Sequence, residues 1–293
     1  TCPRPFGVER TMTGNRESRI VKYSYVTPDY VLGTQMDHPL AVHNHLSAHG
    51  RWQGLITSDL NSRILTVSLE QFRGKTDPGN DYSIELMYHS AQSKGVLITQ
   101  QKRRWTQLNP DWFPTYDQLY DVDFGVYIGS GWQTRIEQDG WLFLEQDDTY
   151  AAIRILRVKT DPDPLAFAKG TDRYENYVEI DFDSYSWNES KTILKLANKY
   201  SPIIIEAGRR GDYPTLADFQ AQILANKLEI HKTVATHETK IIVVYKGADA
   251  EEIVFNAANQ ADVPTVGGKY INYRYPKTFD APYIQADYDS GVV

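Results

Sequence analysis

A chain of 293 residues can bury a large core, and its 20 Tyr, 10 Phe and 6 Trp within a 41% hydrophobic composition favour strands. The formal net charge of −7 offers no basic footprint for a phosphate backbone, so no nucleic-acid partner is expected. No run approaches the ~20 apolar residues of a membrane-spanning helix, so no membrane partner is expected either, and the single Cys2 has no internal disulfide partner.

The chain opens at Thr1 without Met, which fits a processed chain or an excised fragment, and residues 1–18 read as a polar lead-in. Alternation then begins: Val21, Tyr23 and Tyr25 share one face of a strand, opposite Lys22 and Ser24. Thr27-Pro28-Asp29 interrupts it, because proline lacks the ladder donor and restrains the residue before it, and Tyr30-Val31-Leu32-Gly33 follows as a second strand. Residues 52–58 and 63–70 read as strands around Asp59-Leu60-Asn61. Tyr82, Ile84, Leu86 and Tyr88 alternate with polar neighbours, and residues 95–101 pair with them in an antiparallel meander. Residues 101–120 form a long loop, after which Val122, Phe124, Val126 and Ile128 mark the buried face of another strand.

The stretch from Asp139 to Leu156 is the organising hairpin. Asp139-Gly140 is a tight-turn signal, and two runs rich in aromatic, aliphatic and β-branched residues flank Gln146-Asp147-Asp148. Ala151, Ile153 and Ile155 point one way while Tyr150, Ala152 and Leu156 point the other, the pattern of a strand covered on both sides. Trp141 and Phe143 belong to the same core.

Thr160-Asp161-Pro162-Asp163-Pro164 is the best boundary, dividing a first β lobe over 1–160 from a second over 161–293, the two packed as one continuous sandwich. Beyond it, residues 178–182 and 203–205 read as strands and 190–199 as a short helix. Thr215 with Asp218 three residues on is a capping signal, and Leu216, Phe219, Ile223, Leu224 and Leu228 recur at helical spacing, so the sequence predicts a helix over 215–227. Strands follow over 229–234, 240–245 and 252–255, with Gly267-Gly268 as a turn before 269–275. Many strands with few helices imply an all-β fold, a large antiparallel two-sheet β-sandwich with one or two short helices, a closed barrel being the alternative.

Several strings occur together in order: Tyr25-Val26-Thr27-Pro28-Asp29-Tyr30-Val31-Leu32-Gly33, Asp139-Gly140-Trp141, Thr149-Tyr150-Ala151-Ala152-Ile153, the Phe219 helix, and a tail from Phe279-Asp280-Ala281-Pro282-Tyr283 to Gly291-Val292-Val293. In combination they resemble the C-terminal β-sandwich region of large secreted proteins of the heparinase II/III-like polysaccharide lyase type, in which a helical toroid precedes the sandwich. The resemblance implies a secreted or extracytoplasmic module that contacts a polysaccharide, and a preceding helical domain or chain as partner. It also implies that the catalytic groups such enzymes carry on the toroid lie outside these residues.

Two stretches carry candidate chemistry. The run from His38 to His49 holds four of the seven histidines, and His43 and His45 project to one face of an extended segment, where they could hold a divalent metal, zinc or calcium, or exchange protons. Asp37 could complete such a site. The spacing matches no established zinc pattern, and a polar loop of histidines that hydrogen-bond and titrate near neutrality is the simpler reading. In a self-contained lyase, His43 and His45 with Tyr25 or Tyr30 would supply the acid and base for β-elimination. The second stretch places Arg103, Arg104, Trp105, Trp112 and Tyr116 in one proline-bearing loop, where rings suit sugar faces and the arginine forks suit a uronate carboxylate or sulfate of an acidic polysaccharide. The same rings could instead plug the core, and a non-catalytic structural or adhesive sandwich is the third reading.

Overall fold

A computed structural model of the protein describes residues 8–13, 20–37, 53–68, 88–101, 124–158, 178–180, 185–198, 200–235, 238–260, 262–273, 278–281 and 284–287. In chain order, β1 (Val8–Thr13), β2 (Ile20–Val26), β3 (Tyr30–Asp37), β4 (Gly54–Thr57) and β5 (Arg63–Ser68) form an antiparallel series in a first sheet. A second sheet begins with β6 (Tyr88–Ser93) and β7 (Val96–Gln101), while β8 (Phe124–Ile128) returns to the first beside β5. Next, β9 (Thr134–Gln138), β10 (Trp141–Gln146) and β11 (Thr149–Val158) join the second sheet, and β12 (Val178–Ile180) pairs with the end of β11. The first sheet ends with β13 (Tyr185–Trp187) outside β14 (Ile193–Leu196), and β15 (Ile203–Arg209) inserts between β7 and β11. The helix α1 (Leu216–Ala225) leads into a third sheet of β16 (Lys227–Ala235), β17 (Glu238–Lys246), β18 (Ile253–Asn256), β19 (Thr265–Val266) and β20 (Lys269–Tyr270). A ribbon of β21 (Thr278–Ala281) and β22 (Ile284–Asp287) completes the described strands.

The protein is therefore an all-β antiparallel sandwich, with a third sheet and one helix, among the described residues, laid on its outer face. The second sheet is the middle layer. Its inner face, with Leu97, Leu142, Leu144, Ala151, Ile153 and Ile205, meets Leu32, Leu55, Ile64, Phe124 and Val126 of the first sheet. Its outer face, with Val96, Ile98, Trp141, Phe143, Tyr150 and Ile204, meets Phe219 and Ile223 of α1 and Val243, Tyr245 and Phe255 of the third sheet. The alternation along β11 divides between these two cores as its sequence predicts, Ala151, Ile153 and Ile155 inward and Tyr150, Ala152 and Leu156 outward. Phe124, Val126, Ile128, Trp141, Phe143, Ile153 and Ile155 are all buried, while Val122 lies outside the described residues. β14 and β15 pair with β8, β7 and β11, so segments on both sides of residue 160 build the same two sheets.

Two local expectations change. Residues 190–199 hold no helix among those described: β14 occupies 193–196, because Leu194 and Leu196 are buried around exposed Lys195, a period of two. The helix ends at Ala225, two residues earlier than the spacing predicts, because Asn226 takes an extended conformation (φ −63°, ψ 147°) as its C-cap. Leu228 accordingly sits in β16 opposite Tyr245, and Leu224 faces solvent. The start of the helix follows its capping box, in which the Thr215 side chain accepts from the Asp218 N–H at 3.2 Å and the Thr215 N–H donates to the Asp218 carboxylate at 3.0 Å. No helix of the described residues is long and apolar enough to cross a membrane.

Candidate functional site

The tyrosines of the proposed acid–base reading sit around the Thr27-Pro28-Asp29 turn. Thr27 Oγ1 accepts from the backbone N–H of Tyr30 at 2.9 Å and of Asp29 at 3.2 Å, which fixes the turn, and Arg209 Nε donates to the Asp29 carboxylate at 2.6 Å. Tyr30 is 5% exposed, packs against the half-buried Tyr25 ring at 6.3 Å, and donates its hydroxyl to the Ala207 carbonyl at 3.2 Å. Burial, then the nearby Tyr25, Glu206 and Asp212, raise its phenol well above the ordinary value. There the phenol keeps its proton at neutrality and stays a hydrogen-bond donor to the backbone of the middle sheet. His43, His45, Arg103, Arg104, Trp105, Trp112 and Tyr116 all lie outside the described residues. Asp37 is described and buried: Gln35 Nε2 donates to one oxygen at 2.9 Å and the Tyr88 N–H to the other at 2.9 Å.

A second aromatic and charged constellation lies on one flank of the sandwich. Among the described strands, β13 is terminal in the first sheet and β9 in the second, and cross-strand register puts Arg135 and Glu137 on the face of Leu144 and Leu142, pointing between the sheets. Glu137 Oε1 accepts from Trp187 Nε1 at 3.1 Å and from the Tyr185 hydroxyl at 3.2 Å, so one carboxylate joins the two terminal strands. The Arg135 guanidinium lies 5.7 Å from the Trp187 ring centroid and donates to the carbonyls of Lys191 and Gly129. Tyr185 and Trp187 meet edge to face at 6.3 Å and are half-buried, while Glu137 is exposed. Burial, reinforced by Glu137, raises the Tyr185 phenol, so it stays a hydrogen-bond donor. Chemically the flank offers indole and phenol surface, a carboxylate acceptor within reach of water, and a fixed guanidinium. Inward-pointing charges on a short terminal strand also hinder edge-to-edge association.

The third group is a buried carboxyl. Glu206 is 4% exposed on β15, between the middle sheet and the outer layer. It accepts from Tyr245 Oη at 2.5 Å and from Asn226 Nδ2 at 3.0 Å, and the Ala248 N–H also bonds to it. Gly247 permits this approach, since a Cβ there would stand 2.8 Å from Glu206 Oε1 and 2.5 Å from Val96. Desolvation pushes the carboxyl up to about 7 against the lowering hydrogen bonds. Such a group can hold or release a proton near neutrality, but α1 and the third sheet close it to a polymer.

None of Arg135, Glu137, Tyr185, Trp187 or Glu206 stands out in the sequence as a site residue. The period-two placement of Tyr185 and Trp187 and the isolated acid after Ile203-Ile204-Ile205 are the signals that point to them. Fold and flank together define an antiparallel β-sandwich with a half-exposed aromatic clasp across two sheet edges. No family model, no curated protein and no solved structure matches this chain.

Proposed function

We propose that this protein is a β-sandwich module of a secreted carbohydrate-active protein, which contacts a polysaccharide through the Tyr185–Trp187 flank and supports lyase-type catalysis located largely in another domain or chain. The observation that carries this reading is the Tyr185–Trp187 pair held half-exposed by Glu137 at the sheet edges. Aromatic rings offer flat apolar area that suits the C–H faces of sugar rings, and an exposed carboxylate accepts hydroxyl hydrogens. The strings that resemble the sandwich region of heparinase II/III-like lyases point the same way. The carboxylate on the flank favours sugar hydroxyls over the acidic groups of a polysaccharide at this position, since like charges repel.

Trp187→Ala tests the reading. Affinity for the glycan selected from a polysaccharide array is expected to fall at least roughly tenfold, equivalent to about 1.4 kcal/mol, with little change in melting temperature. A large loss of stability with unchanged affinity would make the clasp a structural closure of the sandwich and overturn the reading.

A further inference from the structure

We propose that the β17–β18 turn, residues 247–252, is a proton-operated cover over Glu206: it seats on the middle sheet while that carboxyl carries its proton and lifts away when the carboxyl ionises. The inference rests on the contact between layers and does not depend on the reading of the flank. Glu206 projects from the outer face of β15, where it stands between Val96 of β7 and Ala152 of β11. Ladders on both sides hold that strand, so the sheet beneath the carboxyl cannot part to admit water without losing several backbone hydrogen bonds. The turn above it is held by less. Its Ala248 N–H bonds to the carboxyl itself, its Glu251 N–H donates to Ser93 Oγ at 3.0 Å, and Ala250 supplies its buried side chain.

The turn is shaped to seal the carboxyl. A Cβ on Gly247 would stand 2.8 Å from Glu206 Oε1 and 2.9 Å from Oε2, so bare backbone closes over both oxygens. Tyr245 Oη stands at 2.5 Å and Asn226 Nδ2 at 3.0 Å, and no cation among the described residues pairs with Glu206. Of the titratable groups that face it, Asp249 comes from the turn, and the phenols of Tyr245, Tyr213 and Tyr30 come from β17, the segment before α1, and β3. The Arg154 guanidinium of β11 acts on Tyr245. The neutral acid therefore meets a dry site that suits it, whereas the carboxylate meets no counter-charge and has the Asp249 acid beside it. Desolvation outweighs the three donors and pushes the carboxyl up to about 7. A buried charge without a counterion is relieved most readily by water. Lifting the turn that carries Asp249 hydrates Glu206 and takes the like charge away in one movement.

The test is hydrogen exchange of the full chain between about pH 5 and pH 8, with the intrinsic exchange rate divided out, following the Ala248 and Glu251 amides of the turn against the Leu32 and Leu55 amides of the first sheet. The opening constant of the turn amides is expected to rise on the order of 100-fold across that range, the effect of a carboxyl that titrates at about 7 when covered and near the ordinary 4.5 when open. At each pH it should exceed the constant of the first-sheet amides, which open only with the whole molecule. Glu206→Gln, which cannot ionise, should flatten the rise. Should that variant fail to fold, Tyr245→Phe removes a donor that favours the carboxylate and should carry the end of the rise to higher pH. A turn that opens no more than the first sheet does, a turn whose opening is flat with pH, a rise that survives Glu206→Gln, or one that Tyr245→Phe leaves in place would overturn the proposal.

Discussion

Glu206 shows how one residue can couple the layers. It stands on the central strand β15 and takes hydrogen bonds from Tyr245 of β17 and from Asn226 at the end of α1, so its charge state affects the middle and outer layers together. Its carboxyl is raised from the ordinary 4.5 to about 7, chiefly by desolvation. The folded protein therefore holds this proton more tightly than the unfolded chain does. Below pH about 4.5 both states are protonated and the contribution is complete; as pH rises through 7 it is lost, by about 3 kcal/mol at 1.36 kcal/mol per unit. Glu206→Gln removes the ionisation while keeping an acceptor for Tyr245. Urea melts should show the variant gaining up to about 3 kcal/mol over the wild type between pH 5 and pH 8. Parallel stability profiles would mean that Glu206 ionises in both states alike.

At the scale of the element, α1 is set by its start. Thr215→Ala removes the acceptor for the Asp218 N–H and should cost about 1 kcal/mol in a thermal or urea melt, whereas Thr215→Ser should restore most of it. That helix is legible because a capping pair precedes Leu216, Phe219 and Ile223 at helical spacing, and those three side chains are the buried ones. β11 is legible for a similar reason, since a strand apolar on both faces needs a layer on each side. β6 is much less so. His89-Ser90-Ala91-Gln92-Ser93 is small and polar, yet all five residues are buried, because Ser90 meets Gln53 and Thr99 while Gln92 reaches the Leu32 carbonyl. The Gln53 amide accepts from Thr34 and Ser90 and donates to Thr99, joining the first two sheets through partners from three separate strands. Sequence alternation reads hydrophobicity, so a strand buried through hydrogen bonds is invisible to it. The flank is hidden in the same way, because Glu137 and Trp187 are 50 residues apart in sequence and meet only when two sheet ends are brought together.

At the scale of the whole molecule, the third sheet is what two-layer reasoning leaves out. The strands over 227–270 read individually as sheet, but only Val243, Tyr245 and Phe255 packing on Val96, Trp141 and Tyr150 shows that they form a separate layer. With both faces of its middle sheet covered, the sandwich leaves its flanks as places where rings and backbone edges can meet a polymer, and the Tyr185–Trp187 clasp occupies one of them. The most direct measurement follows the indole N–H resonance of Trp187, assigned by its loss in Trp187→Phe, during titration with oligosaccharides of the array-selected glycan. A saturable shift of that signal is expected, while the indole signals of buried Trp132 and Trp141 stay in place. A Trp187 signal unmoved under conditions where the glycan binds, or one that moves no more than the buried tryptophans, would contradict a glycan-contacting flank.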